Sequence, residues 1–279
     1  MTPISGHRCD LGEGAFWHPA RGAFFWFDIT GRKLHSLARS RDFEEMPSAM
    51  GCVSADEVVI ATETRLALFH LDRGTARTLC ALEAENPATR SNDGRADPQG
   101  GFWIGMMGKQ AQKGAGSIWR YHRGELRRLY AGLSIPNAIS FAPDGQSACF
   151  TDTVTRKIMR VALDAEGWPR GAAECWLDLN EAELNPDGAV FDAHGSLWVA
   201  QWGAGRVAAY GPDGQFLHAV DVPAPHTSCP AFGGPDLATL YCTTAREGRQ
   251  NPTPRDGACF ATPAPARGIA EHRVIVHDG

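Results

Sequence analysis

The stretch Asn185-Pro-Asp-Gly-Ala-Val-Phe-Asp-Ala-His-Gly-Ser-Leu-Trp-Val-Ala200 decides the architecture. It reads as two short apolar strands, Gly188–Phe191 and Ser196–Ala200, joined by a tight polar turn at Asp192–Gly195. Close variants recur along the chain. Ala138-Ile-Ser-Phe-Ala-Pro-Asp-Gly145 runs into Ser147-Ala-Cys-Phe-Thr-Asp152, and Gly94-Arg-Ala-Asp-Pro-Gln-Gly100 into Gly101-Phe-Trp-Ile-Gly105. Gly14-Ala-Phe-Trp-His-Pro19 runs into Ala23-Phe-Phe-Trp-Phe-Asp28. Two weaker copies, Gly51–Ala55 into Val58–Thr62 and Ala231–Pro235 into Thr239–Thr243, bring the number to six.

The repeats start near Gly14, Gly51, Gly94, Asn137, Gly188 and Pro230, about 37 to 51 residues apart. A period of roughly 40 to 50 residues with several short strands in each repeat is the signature of a β-propeller. Two further strands follow the strong pair: Lys157–Leu163 and Glu174–Asp178 in the fourth repeat, Gly116–Tyr121 and Leu126–Tyr130 in the third. Four strands per blade and six blades account for the 279 residues, so the expectation is an all-β, six-bladed β-propeller forming one domain over residues 1–279. Helical patterning is confined to a short turn at Asn180–Leu184. Either Ile4–Leu11 or Glu271–His277 supplies the outer strand that closes the ring.

Composition narrows the function. The net charge of −5 and the absence of a Lys/Arg run argue against a nucleic-acid partner. No apolar run approaches the roughly 20 residues of a membrane span, and the first residues lack the apolar segment of a signal peptide. These features point to a cytoplasmic protein without a membrane partner, a monomer or weak homo-oligomer. The eight cysteines form no C-x-x-C pair. Cys52, Cys149 and Cys242 fall inside strands, where a thiol behaves as a small buried hydrophobe. The histidines form no metalloprotease pattern and no G-x-S-x-G elbow is present. His18 and His194 read as surface turn residues.

In a propeller the innermost strands line a central channel, so equivalent positions of different blades converge on one axis. The residue six before the first turn residue (Pro19, Pro98, Pro143, Ala193, Pro235) is Glu13, Asn92, Asn137, Asp187 and Cys229. The weak second repeat places Ala49 or Met50 there. Oxygen-bearing side chains on mostly apolar strands cost several kcal/mol when buried and unpaired, and a divalent cation satisfies them together. Glu, Asp and two amide oxygens suit Ca²⁺, Mg²⁺ or Mn²⁺, and Zn²⁺ also accepts carboxylates. The structural alternative is that Asp93-Gly94 and Asp187-Gly188 are ordinary turns. Pro186-Asp-Gly188 differs from Pro143-Asp-Gly145 and Pro212-Asp-Gly214 because a separate turn follows its strand.

The ordered set Leu11-Gly-Glu-Gly14, Arg90-Ser-Asn-Asp-Gly94, Pro136-Asn137, Pro186-Asp-Gly188, Ser228-Cys229, Phe232-Gly-Gly-Pro-Asp236 and Thr243-Thr-Ala-Arg246 resembles the gluconolactonase family that includes regucalcin, or senescence marker protein. The resemblance spans nearly the whole chain and implies a six-bladed propeller. It puts the family's metal-binding Glu, Asn and Asp on Glu13, Asn137 and Asp187, and its substrate-contacting Arg-x-Asn on Arg90 and Asn92. Asn92 is by this resemblance a substrate-side residue that could also complete the metal shell. Some relatives carry an acidic substrate contact shortly after the Gly-x-Met that corresponds to Gly105-Met-Met107; here Gln110 stands near that place. The implied function is hydrolysis of a small sugar lactone to the aldonic acid, with one divalent cation polarising the carbonyl and Asp187 as general base. Rival readings are phosphotriester hydrolysis at the same ion and a non-catalytic calcium-binding propeller. Trp202, just past a strand, is a candidate for the pocket wall, and the Gly-rich stretch 108–116 for a lid.

Overall fold

Each copy of the motif folds as the two inner strands of a four-stranded antiparallel sheet, and six such sheets make a β-propeller in the computed structural model, which describes residues 1–276. Blade 1 comprises Gly12–His18, Ala23–Asp28, Lys33–Ser36 and Ser40–Asp42; blade 2, Ala49–Cys52, Glu57–Ala61, Arg65–His70 and Ala76–Ala81. Blade 3 is Thr89–Ala96, Phe102–Gly108, Gly116–His122 and Glu125–Leu133; blade 4 is Pro136–Phe141, Ser147–Asp152, Lys157–Leu163 and Pro169–Asp178. Blade 5 is Asn185–Phe191, Leu197–Trp202, Arg206–Tyr210 and Phe216–Asp221. Blade 6 takes Thr227–Gly233, Thr239–Thr244 and Phe260–Pro263 from the C-terminal part of the chain and Thr2–Pro3 from its beginning.

The ring therefore closes through the N-terminus. Thr2 pairs with Ala261 and Pro3 with Phe260, so the closing strand lies just before the Ile4–Leu11 segment expected for that role. Residues 271–276, the other candidate, run under the blades instead. Val274 N donates to the Cys52 carbonyl and Ile275 N to that of Gly100. Glu271 pairs with Arg95, and His277 lies outside the described residues.

The motif folds as it does because its turn is stapled by its own acid. Asp192 Oδ1 accepts the amides of His194 and Ser196, both at 2.9 Å, and Oδ2 accepts the indole N–H of Trp198 at 2.9 Å. With its polar edge satisfied, Trp198 packs edge-on against Phe232 of blade 6; Trp103 of blade 3 meets Phe141 of blade 4 in the same way. Such fully buried side chains each contribute about 1.5–3 kcal/mol and are what hold blade to blade. The strands at the rim, such as Ala76–Ala81 and Pro169–Asp178, are largely exposed.

One 3₁₀ turn, Thr153–Thr155, is the only helical element among the described residues, and 180–184 is a plain turn. Among the described residues no helix is long and apolar enough to cross a membrane. His18 departs from expectation. It ends the first strand of blade 1 with no exposed surface, its Nε2 beside Cys52 Sγ, because Phe16 and Phe25 enclose it edge-on. His194 is exposed, and Cys52, Cys149 and Cys242 are buried free thiols.

Candidate active site

Five of the six inner strands share a break in their ladder. Two residues oppose one after Glu13, Ser91, Asn137, Pro186 and Thr227, so the pairing resumes at Phe16, Gly94, Ser140, Ala189 and Pro230. A two-for-one bulge of this kind twists a strand and re-aims its side chains. Asp93-Gly94 and Asp187-Gly188 are thus bulged strand rather than turns. The bulge also corrects the register counted from the turns. Glu13 and Asn137 are the last paired residues before it, whereas Asn92 and Asp187 are its first unpaired residues. In a regular strand these two sets would face opposite sides; the bulge brings both to one cavity. After Glu13 and Asn137 the chain passes through the left-handed region, at Gly14 (φ 56°) and Ala138 (φ 55°). Gly14 bears this freely, while Ala138 is held there against its preference.

The cavity, of about 420 Å³, opens at the N-terminal ends of the inner strands. Glu13, Arg90, Asn92, Gln110, Asn137 and Asp187 all line it. Asn137 Nδ2 donates to Thr153 Oγ1 at 3.0 Å, and that hydroxyl donates to the Pro186 carbonyl at 2.8 Å. This pins the amide with Oδ1 toward Asn92, whose Nδ2 donates to it at 2.9 Å. Arg90 Nη1 donates to Asn92 Oδ1 at 2.8 Å and to the Ser91 carbonyl at 2.9 Å. The other Asn92 N–H goes to the Pro136 carbonyl at 3.1 Å, so the Asn92 amide is engaged at both ends and holds Arg90 and the Asn137 oxygen in place. Gln110 stands exposed at the rim with Lys109, whose ammonium pairs with Glu63 at 2.6 Å.

Glu13 and Asp187 are both buried to 5 % exposure. Burial pushes both carboxyls above the ordinary range, and the charges of Asp93 on Glu13, and of Glu13 and Asp93 on Asp187, push further. Glu13 Oε2 accepts one backbone amide, that of Gly14. Two buried acids at one point, with an amide oxygen fixed beside them, form an all-oxygen donor set whose charge the nearby Arg90 guanidinium offsets only in part. A hard divalent cation fits it. Ala49 of blade 2 adds nothing polar, and in blade 6 Ser228 turns its hydroxyl to the Thr243 side chain and the Gly12 carbonyl. Cys229 lies deeper, beside Asp93, Arg95 and Glu271.

Residues 11–246 match the SMP-30/gluconolactonase/LRE-like region. The chain belongs to that family. Within it, an L-arabinolactonase of Azospirillum brasilense is 34% identical over 98% of this chain and 94% of its own length. A pentonolactonase of Haloferax volcanii is 32% identical, covering 100% of this chain and 99% of that protein. The crystal structure of a calcium-binding protein, regucalcin, from Agrobacterium tumefaciens superimposes with a TM-score of 0.95 at 38% identity, over 98% of this chain and 96% of that one.

Lys109 falls in the stretch 108–116 expected at the mouth, whereas three other wall residues of this family member were not singled out in the sequence: Thr153, His226 and Glu247. Thr153 alone was within reach, since it follows the strand that pairs with Asn137. His226 and Glu247 arrive on loops flanking the inner two strands of blade 6, joined by His226 Nδ1 and the Glu247 carbonyl at 2.9 Å. Trp202, expected in the wall, is there and stacks on His226 with ring centroids 4.3 Å apart.

Proposed function

We infer that this protein hydrolyses a small sugar lactone to the corresponding aldonic acid, with one divalent cation held by Glu13, Asn137 and Asp187 and with Asp187 as general base. The observation that carries this reading is the pair of buried carboxylates meeting the fixed Asn137 oxygen at the floor of a cavity into which Arg90 also faces. The all-oxygen set favours Ca²⁺, Mg²⁺ or Mn²⁺ over Zn²⁺, and the similar Agrobacterium protein is described as calcium-binding. The chemistry such an ion supplies when bound is Lewis-acid polarisation of the lactone carbonyl.

The chain's own groups do the rest. Asp187 takes a proton from the attacking water as its oxygen bonds to the carbonyl carbon. The acyl–oxygen bond of the ring then breaks, and the same proton returns to the departing ring oxygen, leaving a hydroxy acid. No covalent intermediate with the protein is needed. Arg90 is fixed by Nη1 to Ser91 and Asn92, so its remaining donors are pre-oriented toward the sugar hydroxyls. Asn92 holds Arg90 and Asn137 in register for that contact, and Gln110 adds a neutral contact at the rim. The Met107–Ala111 segment covers one side of the cavity and limits water entry. Eight free thiols suit a reducing compartment and support a cytoplasmic setting.

The test is turnover by purified, metal-loaded protein of a panel of aldonolactones and one phosphotriester. The reading expects one or more lactones to be the best substrates. Preference for the phosphotriester, or turnover of nothing while calcium binds, overturns it.

A further inference from the structure

Away from the axis, between blades 1 and 6, three chemically different side chains converge in the interior. One candidate ligand atom from each of Cys9, Asp28 and His35 lies within 4.8 Å of the other two, and all three residues are buried. The fold itself accounts for the acid. Asp28 ends the second strand of blade 1, where Oδ2 accepts the amide of Asp10 at 3.0 Å and Oδ1 those of Leu11 and Gly31 at 3.1 and 3.0 Å. Asp152 of blade 4 holds the chain ahead of its inner strand in the same way, through Ser134 N and Ile135 N. No such group of three ligand side chains forms around that acid among the described residues. Cys9 and His35 are therefore additions that the strand-end job does not require.

The surroundings of these additions are those of a ligand set. His35 Nδ1 is held by Ser40 Oγ at 2.6 Å, which leaves Nε2 as the free nitrogen, the arrangement that fixes tautomer and ring orientation in metal-binding histidines. The carboxylate is anchored by three amides and keeps lone-pair capacity on Oδ2. The fully buried indole N–H of Trp26 has no hydrogen-bond acceptor, and the Cys9 sulfur lies beside it. Burial, then the Asp28 charge, pushes the Cys9 thiol up to about 12 against the opposing pull of the indole, so the thiolate forms there with a cation beside it. His7 closes the outer side, its ring 4.4 Å from that of His35 and half-buried.

We propose that Cys9, Asp28 and His35 form a second metal site, selective for a borderline-soft divalent ion such as Zn²⁺, with the fourth position filled by water or by His7. Sulfur, nitrogen and carboxylate oxygen in tetrahedral number are zinc's preferred company, whereas the axial set is all oxygen. Binding replaces the thiol proton, so uptake of each ion releases protons. The site's place gives it a structural role. Cys9 lies on the segment that leads from the ring-closing Thr2–Pro3 strand into blade 1, and an ion there staples the closure to blade 1.

The test is titration of chelator-stripped wild-type protein with Zn²⁺, and with Co²⁺ as its spectroscopic stand-in. Two equivalents of Zn²⁺ and a thiolate-to-cobalt charge-transfer band in the near ultraviolet are expected. Cys9→Ser and His35→Gln should each lose that band and one equivalent, while the first equivalent stays. Wild-type protein that binds a single equivalent without the band overturns the proposal, whatever the variants do. A band that survives Cys9→Ser assigns the thiolate elsewhere and overturns it too.

Discussion

Blade 2 pairs its inner strand without interruption, Ala49 with Ala61, Met50 with Ile60, Gly51 with Val59 and Cys52 with Val58. Blade 5 breaks the same ladder between Pro186 and Ala189, and Asp187 sits in the break. Blade 2 gives the axis an alanine and a methionine; blade 5 gives it a carboxylate. Both are four-stranded antiparallel sheets in one ring, so the difference lies in one extra residue and the face it exposes. A regular strand alternates its side chains between two packed faces, and a polar residue there is costly. The bulge frees one residue from that alternation, so a polar group can face the channel while its neighbours keep packing.

The largest effect expected from this comparison falls on Asp187. Asp187→Asn keeps the bulge, the size and one oxygen while removing the proton-accepting charge. General-base assistance is worth about 10² to 10⁴ in rate, and a kcat loss of that order is expected at saturating metal with the fold intact. Asn137→Asp is the control, since it adds charge at the ion but no base at the water. Near-normal kcat in Asp187→Asn would reduce Asp187 to a ligand.

The bulge itself is broken by Gly14→Ala. Gly14 has φ 56°, and a Cβ there would collide with the Ser48 carbonyl and come within 2.7 Å of the Phe27 ring. Left-handed strain plus overpacking amount to about 2–4 kcal/mol, read as a lower denaturation midpoint together with weaker metal binding through Glu13. Gly22→Ala, at the same φ but with open surroundings, separates strain from collision and should cost about 1 kcal/mol.

Arg90→Ala comes next. Hydrogen bonds to a charged group contribute about 1.5–3 kcal/mol, so kcat/KM on the preferred lactone should fall roughly 10- to 100-fold. Metal content should stay unchanged, because Arg90 donates to Asn92 rather than to either carboxylate. Loss of metal along with activity would place Arg90 in the ion site instead.

The smallest effect is a pH slope. In the ion-free protein burial, then the Asp93 charge, raises Glu13 to about 8, and Asp187 moves the same way. The folded state then binds more protons than the unfolded state between the ordinary carboxylate range and about pH 8. Stability of the ion-free form is thus greatest below that window and falls as pH rises through it. A bound cation holds both carboxylates ionised and should flatten the slope. Thermal melts of chelated and metal-loaded protein from about pH 5 to 8 show whether it does.

Much of this was legible because the repeat is written in chemistry that survives without a structure. The Pro-Asp-Gly and Asp-x-x-Gly turns, the apolar pairs after them and the polar residue before them recur often enough to place Glu13, Asn92, Asn137 and Asp187 on one channel. The one-residue offset between Glu13 and Asp187 was not legible, since a bulge is a property of the partner strand as much as of its own. His18 read as a turn residue because Pro19 follows it, yet the packing of Phe16 and Phe25 decides its place. His226 and Glu247 were invisible for a related reason: Glu247 is held by its amide on the Asp10 carbonyl, a contact between distant parts of the chain that no local pattern announces.

The axial ion is tested most directly by measuring bound metal and lactone turnover on the same samples, as chelator-stripped protein is titrated with Ca²⁺ or Mn²⁺. Turnover should be absent at zero metal and rise in step with a single equivalent of bound ion, and Glu13→Gln should shift both curves together to higher metal concentration. Full turnover by protein that elemental analysis finds free of metal would contradict the account.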